Sequence, residues 1–275
     1  MNASTSSSIL VIGGTGKTGR RVAQLLTARG TPVRVASRTG ATPFDWTKQD
    51  TWPAALRGVR TVYLTYQPDL AMPGAAEDIA AFCRTAVAAG TRRVVLLSGR
   101  GEDEVLPSEA AVRECGAEWT ILRASWFCQN FSEGMLLGPV LGGEIAFPAG
   151  DVREPFIDAD DIAEVAVAAL TGSEHTGKIY DLTGPRLLTF AEAANEIAHA
   201  ARRDVRYVPV TSTDYARALS AELPAEVASF LTDLFARVLD GHNATLGDGV
   251  ERVLGRRPRD FREYARAAAD AGAWR

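Results

Sequence analysis

The chain has 275 residues, 46% of them hydrophobic and 23% charged, and its 30 basic and 34 acidic side chains give a formal net charge of -4. These proportions exclude a disordered segment, a collagen-like repeat and a coiled coil, and basic residues scattered through a slightly acidic chain leave no electrostatic footprint for nucleic acid. Cys83, Cys115 and Cys128 are odd in number and lack C-x-x-C spacing, which argues against a disulfide framework or zinc ribbon and fits a reducing cytoplasm.

The first eight residues carry no basic stretch ahead of an apolar one, so no signal or transit peptide is legible there. No apolar run approaches the ~18 residues needed to cross a bilayer, and no membrane partner is expected. Residues 9–12, 33–37, 61–64, 94–97 and 120–122 are short, β-branched or leucine-rich runs, the pattern of strands buried on both faces of a parallel sheet. Helices are expected between them. Residues 20–28 place Val22, Leu25 and Leu26 on one face and stop near Gly30; residues 75–89 repeat Ile79, Phe82 and Ala86 and stop at Gly90. This alternation predicts an α/β fold, a Rossmann-type doubly wound parallel sheet.

After Phe131 the rhythm changes. Residues 134–150, rich in glycine with Pro139 and Pro148, read as loops. A helix is expected over 160–170 with Asp158 or Asp160 near its start, then a strand over 178–182. From Thr189 the pattern is mostly helical, ending with 259–271 after Pro258. No linker separates independent domains. The organisation expected is one domain over 1–275, with a dinucleotide-binding core at 1–130. Residues 131–275 then form mainly a smaller, mostly helical C-terminal substrate lobe that sends a strand back at 178–182.

The strongest local signal is Gly13-Gly14-Thr15-Gly16-Lys17-Thr18-Gly19, entered from a buried strand and left by a helix. Glycines in that setting turn the backbone tightly and let it approach a pyrophosphate at the helix N-terminus; the bland alternative is a tight turn without ligand. A triphosphate loop would need glycine five positions before Gly16, where Val11 stands. The second strand ends in Ala36-Ser37-Arg38 with no carboxylate before Asp45, so the acidic partner of an NAD ribose is missing and Arg38 suits a 2′-phosphate. A solvated surface arginine is the alternative.

Reductases with such loops often pair tyrosine with a lysine four residues on. Here Lys17, Lys48 and Lys178 are the only lysines, and none of Tyr63, Tyr66, Tyr180, Tyr207, Tyr215 and Tyr264 is followed by one at that distance. Ketone reduction needs an acid or oxyanion site. An iminium only loses its positive charge, and a quinone spreads the incoming charge over its ring. Glu102, Asp103 and Glu104 could supply a proton or attract a cation, or be a plain surface carboxylate run. Tyr66-Gln67-Pro68, Ser98-Gly99 and the segment from Leu122 to Phe131 follow strand ends on the carboxyl edge, where ligands bind in this architecture. Trp126, Phe127 and Phe131, with Asn130 as a polar handle, would wall a flat substrate or equally plug a joint between lobes. His175, His199 and His242 show no ligand spacing, so no metal is expected, and Cys128 reads as a small buried hydrophobe.

Together with Val35-Ala-Ser-Arg38, Phe44-Asp45-Trp46, Leu122-Arg-x-x-Trp126-Phe127-x-x-Asn130-Phe131, Phe156-Ile-Asp158-x-x-Asp161-Ile162-Ala163, Gly177-Lys-Ile-Tyr180-x-Leu182-Thr-Gly184-Pro185 and Gly255-Arg-x-Pro258, the glycine turn resembles the NmrA-like atypical short-chain dehydrogenase/reductases over nearly the full length. Within that family the resemblance is greatest to the ergot alkaloid biosynthesis reductases and more distant to NADPH:quinone oxidoreductase. It implies NADP(H) held by Gly13, Thr15, Gly16, Lys17, Thr18, Gly19, Ser37 and Arg38, with Asp45 and Trp46 flanking adenine and Tyr66, Gln67, Ser98, Ala124, Trp126 and Phe127 toward the nicotinamide. Substrate candidates are Tyr66, Ser98, Trp126, Phe127, Asn130 and Phe131. The function implied is an NADPH-dependent oxidoreductase of secondary metabolism passing hydride to an imine, iminium or quinone. Two alternatives stay open: a non-enzymatic NADP(H)-sensing regulator, and a biosynthetic enzyme that uses the nucleotide structurally for a non-redox step. The expected partner is a small molecule, and the assembly is open between monomer and homodimer.

Overall fold

The structure, a computed structural model, describes residues 8–275; residues 1–7, most of the stretch over which no signal peptide was expected, lie outside them. In chain order the first half runs β1 (Ser8–Ile12), α1 (Lys17–Ala28), β2 (Val33–Ser37), β3 (Thr42–Pro43), α2 (Trp52–Leu56), β4 (Val59–Leu64), α3 (Ala75–Ala88), β5 (Arg93–Gly99), α4 (Leu106–Glu114) and β6 (Glu118–Ala124). There follow α5 (Asn130–Glu133), α6 (Leu137–Gly142), β7 (Glu144–Phe147), β8 (Arg153–Glu154), α7 (Ala159–Thr171), β9 (Lys178–Leu182), β10 (Leu188–Thr189) and α8 (Phe190–Ala201). The chain closes with β11 (Arg206–Pro209), α9 (Ser212–Glu222), α10 (Ala225–Val238), α11 (Gly249–Leu254) and α12 (Phe261–Asp270).

Contacts divide the chain into two units. The first comprises the described residues through Ala124, with Ala159–Leu182 and Gly249–Arg256. Its seven-stranded sheet has the order β3-β2-β1-β4-β5-β6-β9, and every neighbouring pair is parallel. Leu10, Val11, Val62, Leu64, Val94, Val95, Ile121 and Leu122 are buried, as strands covered by helices on both faces require. Flanking helices supply that cover: α1 packs with α7, and α3 with α4. From β1 the chain winds one way through β2 and β3 and the other way from β4 onward. The carboxyl ends of β1 and β4 therefore bound the crevice where this topology places a ligand.

The second unit comprises Ser125–Asp158, Thr183–Asp248 and Arg257–Arg275. It is built on an aromatic core in which Phe131, Phe147, Phe156, Phe190 and Phe261 are buried. Phe147 and Phe190 lie 5.1 Å apart, and Trp126 sits 5.5 Å from each of Phe147, Phe190 and Phe235. Reciprocal capping boxes fix two of its helix starts, Thr189 with Glu192 for α8 and Asp260 with Glu263 for α12. Residues 134–150 are not simply loops: α6 and β7 form there, and β7 pairs in parallel with β11, a strand inside the stretch read as helical. In β7 the buried Ile145 and Phe147 alternate with the exposed Glu144 and Ala146. Among the described residues no helix is long and apolar enough to cross a membrane.

Candidate functional site

The turn after β1 is glycine-rich because its packing admits nothing larger. Gly13 has φ 69°, and a Cβ there would run into the Thr65 hydroxyl, which donates to the Ile12 carbonyl at 3.0 Å. At Gly19 a Cβ would strike the Gly13 carbonyl and the Gly14 Cα, so this glycine sets how closely α1 approaches the turn. The Gly16 amide donates to the Gly13 carbonyl at 2.8 Å, and the Gly14 amide to Ala36 at 3.2 Å. Helix α1 then begins without a capping side chain and without an acidic residue in its first turn, so the positive end of its dipole has no built-in counter-charge.

Gly13, Thr15, Gly16, Ser37, Arg38, Asp45, Trp46 and Gln67 all line one cavity of about 780 Å³ beside this turn. That volume lies within the range of small-molecule and cofactor sites. At its β2 wall the Ser37 hydroxyl is buried with no hydrogen-bond partner, an arrangement that costs about 1–3 kcal/mol until something binds it. Arg38 beside it is exposed. Asp45 also lines the cavity: its carboxylate accepts the Thr47 hydroxyl at 2.8 Å and the Thr47 amide at 3.0 Å, which holds its pKa below the ordinary value. Trp46 donates its indole N–H to the Thr65 carbonyl at 3.2 Å and packs edge-on against Phe44 and Phe82. A glycine turn, an uncapped helix start, an unpartnered hydroxyl and an exposed guanidinium together fit a phosphorylated dinucleotide.

Lys17, Thr18 and Gly19 do not line the cavity; Thr18 and Gly19 are buried behind the turn. Tyr66 stands 4.8 Å from the Trp46 ring and donates its hydroxyl to Asp78 at 2.7 Å; burial and that carboxylate both keep its phenol protonated. Ser98, at the end of β5, is buried and donates to Glu109 at 2.7 Å. Glu109 in turn receives Arg123 bidentately at 2.9 and 2.6 Å. Ala124 closes β6 and its carbonyl accepts the Arg100 amide at 3.1 Å.

Trp126, Phe127 and Phe131 belong to the second unit. Phe131, expected either to wall a substrate or to plug a joint between lobes, is fully buried, with its ring 5.5–6.0 Å from those of Phe156, Phe190 and Phe261, so it packs in the core and does not wall a substrate. Trp126 turns its ring into the same core, Phe127 is half-buried in a bridge with Ile157, and Asn130 starts α5. Cys128 is fully buried. His175 is buried against the Tyr180 hydroxyl at 3.0 Å, whereas His199 and His242 are exposed. Thr39, Thr47 and Thr65 line the cavity without having been picked out from the sequence, and Pro68, named with Tyr66 and Gln67, lines it as expected of that strand end. For Thr65 the available signal was topological, since it is the first residue beyond β4 at the point where the winding reverses.

No family model matches the chain. It is 37% identical over 279 residues to the uncharacterized oxidoreductase YesF of Bacillus subtilis, a match covering 97% of this chain and 96% of that one. It is 32% identical to an NAD(P)H azoreductase of Xenophilus azovorans, over 96% and 98% of the two chains, and 31% identical to a festuclavine dehydrogenase of Aspergillus fumigatus, over 94% and 96%. Among solved structures, a nucleoside-diphosphate-sugar epimerase of Staphylococcus aureus superposes with TM-score 0.79 at 16% identity, over 94% and 99% of the chains. The triphenylmethane reductase of Citrobacter sp. complexed with NADP(H) gives 0.75 at 20%, over 95% and 99%. At those identities the structural likeness speaks to the fold.

Proposed function

The chain belongs to the NmrA-like atypical short-chain dehydrogenase/reductases, and from that premise we propose that it is an NADPH-dependent oxidoreductase passing hydride to a flat, electron-poor acceptor, an imine, iminium or quinone, in secondary metabolism. The observation that carries the reading is the buried, unpartnered Ser37 hydroxyl next to exposed Arg38 on the wall of the cavity beside the glycine turn. That pair suits a ribose 2′-phosphate, to which a guanidinium binds with a charge-assisted hydrogen bond. Relatives named an NAD(P)H azoreductase and a festuclavine dehydrogenase support a reductase.

NADPH, when bound, supplies the hydride. The chain's own residues bind and orient it: the start of α1 toward the pyrophosphate, Ser37 and Arg38 toward the 2′-phosphate, and Asp45 and Trp46 beside adenine. For protonation the chain offers no tyrosine with a lysine four residues on, and the Ser98 hydroxyl proton is held by Glu109. An iminium or quinone tolerates that lack, because no negative charge needs to be neutralised on a single oxygen as hydride arrives.

The test is loss of NADPH absorbance against a panel of iminium salts and quinones, with NADH in parallel. Turnover of at least one acceptor is expected, with NADPH preferred over NADH by roughly tenfold to a hundredfold. Tight NADPH binding without turnover of any acceptor would overturn the enzyme reading in favour of a dinucleotide-sensing regulator. Binding of neither coenzyme would overturn both.

A further inference from the structure

A second cavity, of about 440 Å³, lies wholly within the second unit and shares no lining residue with the dinucleotide cavity. Two packed helices wall it. From α8 come Asn195 and His199, one helical turn apart on the same face, and from α12 come Arg262 and Arg266, spaced in the same way. Arg186, Glu192 and Glu196 also line it, so three guanidiniums meet two carboxylates.

The carboxylates are already satisfied. Arg262 donates to both oxygens of Glu196 at 2.9 Å, and Arg186 adds a third bond at 2.9 Å while also holding Asp260 at 2.6 and 2.8 Å. Glu192 accepts Arg153 at 3.1 and 3.3 Å and the Thr189 amide at 2.8 Å. Three groups on the wall are left over. Among the described residues Arg266 makes no ion pair or hydrogen bond, the Asn195 carboxamide makes no hydrogen bond, and His199 uses only Nδ1, 2.7 Å from the Asn195 carbonyl. A carbonyl can only accept, so Nδ1 carries the hydrogen and Nε2 is left without a partner.

We propose that this cavity binds a phosphoryl group, that of inorganic phosphate or of a small phosphomonoester. Arg266 supplies the uncompensated positive charge, in a planar fork that matches two phosphoryl oxygens. The Asn195 carboxamide offers both a donor and an acceptor. His199 discriminates among anions. A phosphoryl group that keeps a P–OH donates to neutral Nε2, and a fully ionised one accepts from the imidazolium. Sulfate and carboxylates, which carry no hydrogen near neutral pH, meet only the second condition. The volume lies within the range of small-molecule sites, and the apolar lining of Leu188 and Ala200 leaves a place for the organic part of a monoester. A ligand held by Asn195 and Arg266 would bridge α8 and α12.

The experiment is calorimetric titration of the full-length protein saturated with NADPH, in Bis-Tris buffer with ionic strength fixed by chloride. The titrants are inorganic phosphate, glycerol phosphate, sulfate and malonate. Expected is one saturable phosphate site per chain that NADPH does not displace, with phosphate bound roughly twofold to tenfold more tightly than sulfate or malonate. Arg266→Met should weaken phosphate binding roughly tenfold or more, with the same difference between the two proteins when coenzyme is omitted. His199→Leu should erase the preference over sulfate. Both side chains are exposed, so unchanged melting temperatures without phosphate are expected of the variants. Glycerol phosphate bound more tightly than phosphate assigns the site to a monoester, and equal or weaker binding assigns it to the free anion. The proposal is overturned by the lack of a saturable site, by displacement with NADPH, by undiminished binding in Arg266→Met, or by sulfate or malonate binding as tightly as phosphate.

Discussion

Replacing Arg38 with alanine tests the cofactor reading at its most specific point. Arg38 follows the last residue of β2, is exposed, and lines the cavity beside the unpartnered Ser37 hydroxyl. Among the described residues Arg38 makes no ion pair and only slightly lowers the pKa of Asp45, so its removal leaves no broken ion pair to unsettle the fold. A charge-assisted hydrogen bond to phosphate contributes about 1.5–3 kcal/mol. The NADPH dissociation constant should therefore rise roughly tenfold to 150-fold. NADH carries no 2′-phosphate, so its affinity should stay within about twofold and the preference for NADPH should shrink by the full factor. The contact is exposed, so wild-type NADPH affinity should also weaken with added salt as the Debye length falls from about 10 Å at 0.1 M to about 3 Å at 1 M, and more steeply than that of the variant. Calorimetric titration of both coenzymes into both proteins, at two salt concentrations, supplies every quantity. Equal losses for NADPH and NADH, or an unchanged NADPH affinity, would refute the assignment of Arg38 to the 2′-phosphate.

Gly19→Ala drives a Cβ into the Gly13 carbonyl; a stability loss of about 1–3 kcal/mol is expected in urea unfolding, with NADPH affinity down at least about tenfold, and unaltered binding would remove the turn from the site. Arg123→Met strands the Glu109 carboxylate, which is 2% exposed, and should cost about 3–5 kcal/mol; Glu109→Gln in the same chain should recover much of this, and a strictly additive double mutant would disprove the coupling. Acid should weaken the second unit. Arg186 depresses the carboxyl of Asp260, and Arg262 with Arg186 depresses that of Glu196, from ordinary values of 3.8 and 4.5. The unfolded chain then takes up protons first, so this stabilisation is complete above about pH 4.5 and is lost as pH falls through the lower folded values. The melting temperature should drop along that limb in wild type and less steeply in Arg186→Met, and parallel acid limbs would contradict the linkage.

The parallel sheet was legible because strands covered on both faces write themselves as unbroken apolar runs, as residues 9–12 and 94–97 do. β7 was not. Its four residues lie between Gly143 and Pro148, which announce a loop, and its hydrogen bonds come from β11, about 60 residues further on. The return of α7 and α11 to the first unit also has no local cause: an amphipathic helix declares that it has an apolar face but not which surface will cover it. The glycine turn sits at the opposite extreme. Its strand, turn and helix are contiguous, and the close contact at Gly19 is with Gly13 and Gly14 of the same turn, although the contact at Gly13 comes from Thr65 beyond β4.

The same distinction explains what the sequence said about chemistry. A missing tyrosine–lysine pair is an absence that can be read directly. Whether another donor takes its place depends on partners 11 and 14 residues from Glu109, Ser98 and Arg123, which no spacing rule joins. Once folded, Ser98 gives its hydrogen to a buried carboxylate that already holds a guanidinium. To protonate a bound acceptor, Ser98 would first have to break that bond and leave an acceptor site on Glu109 unfilled, at a cost of about 1–3 kcal/mol. That cost falls on any reaction needing a hydroxyl donor at the end of β5, and on none that ends when a cation is neutralised. The buried Ser98–Glu109–Arg123 arrangement therefore biases the proposed chemistry toward iminium acceptors over ketones, by a route independent of the glycine turn and of Arg38.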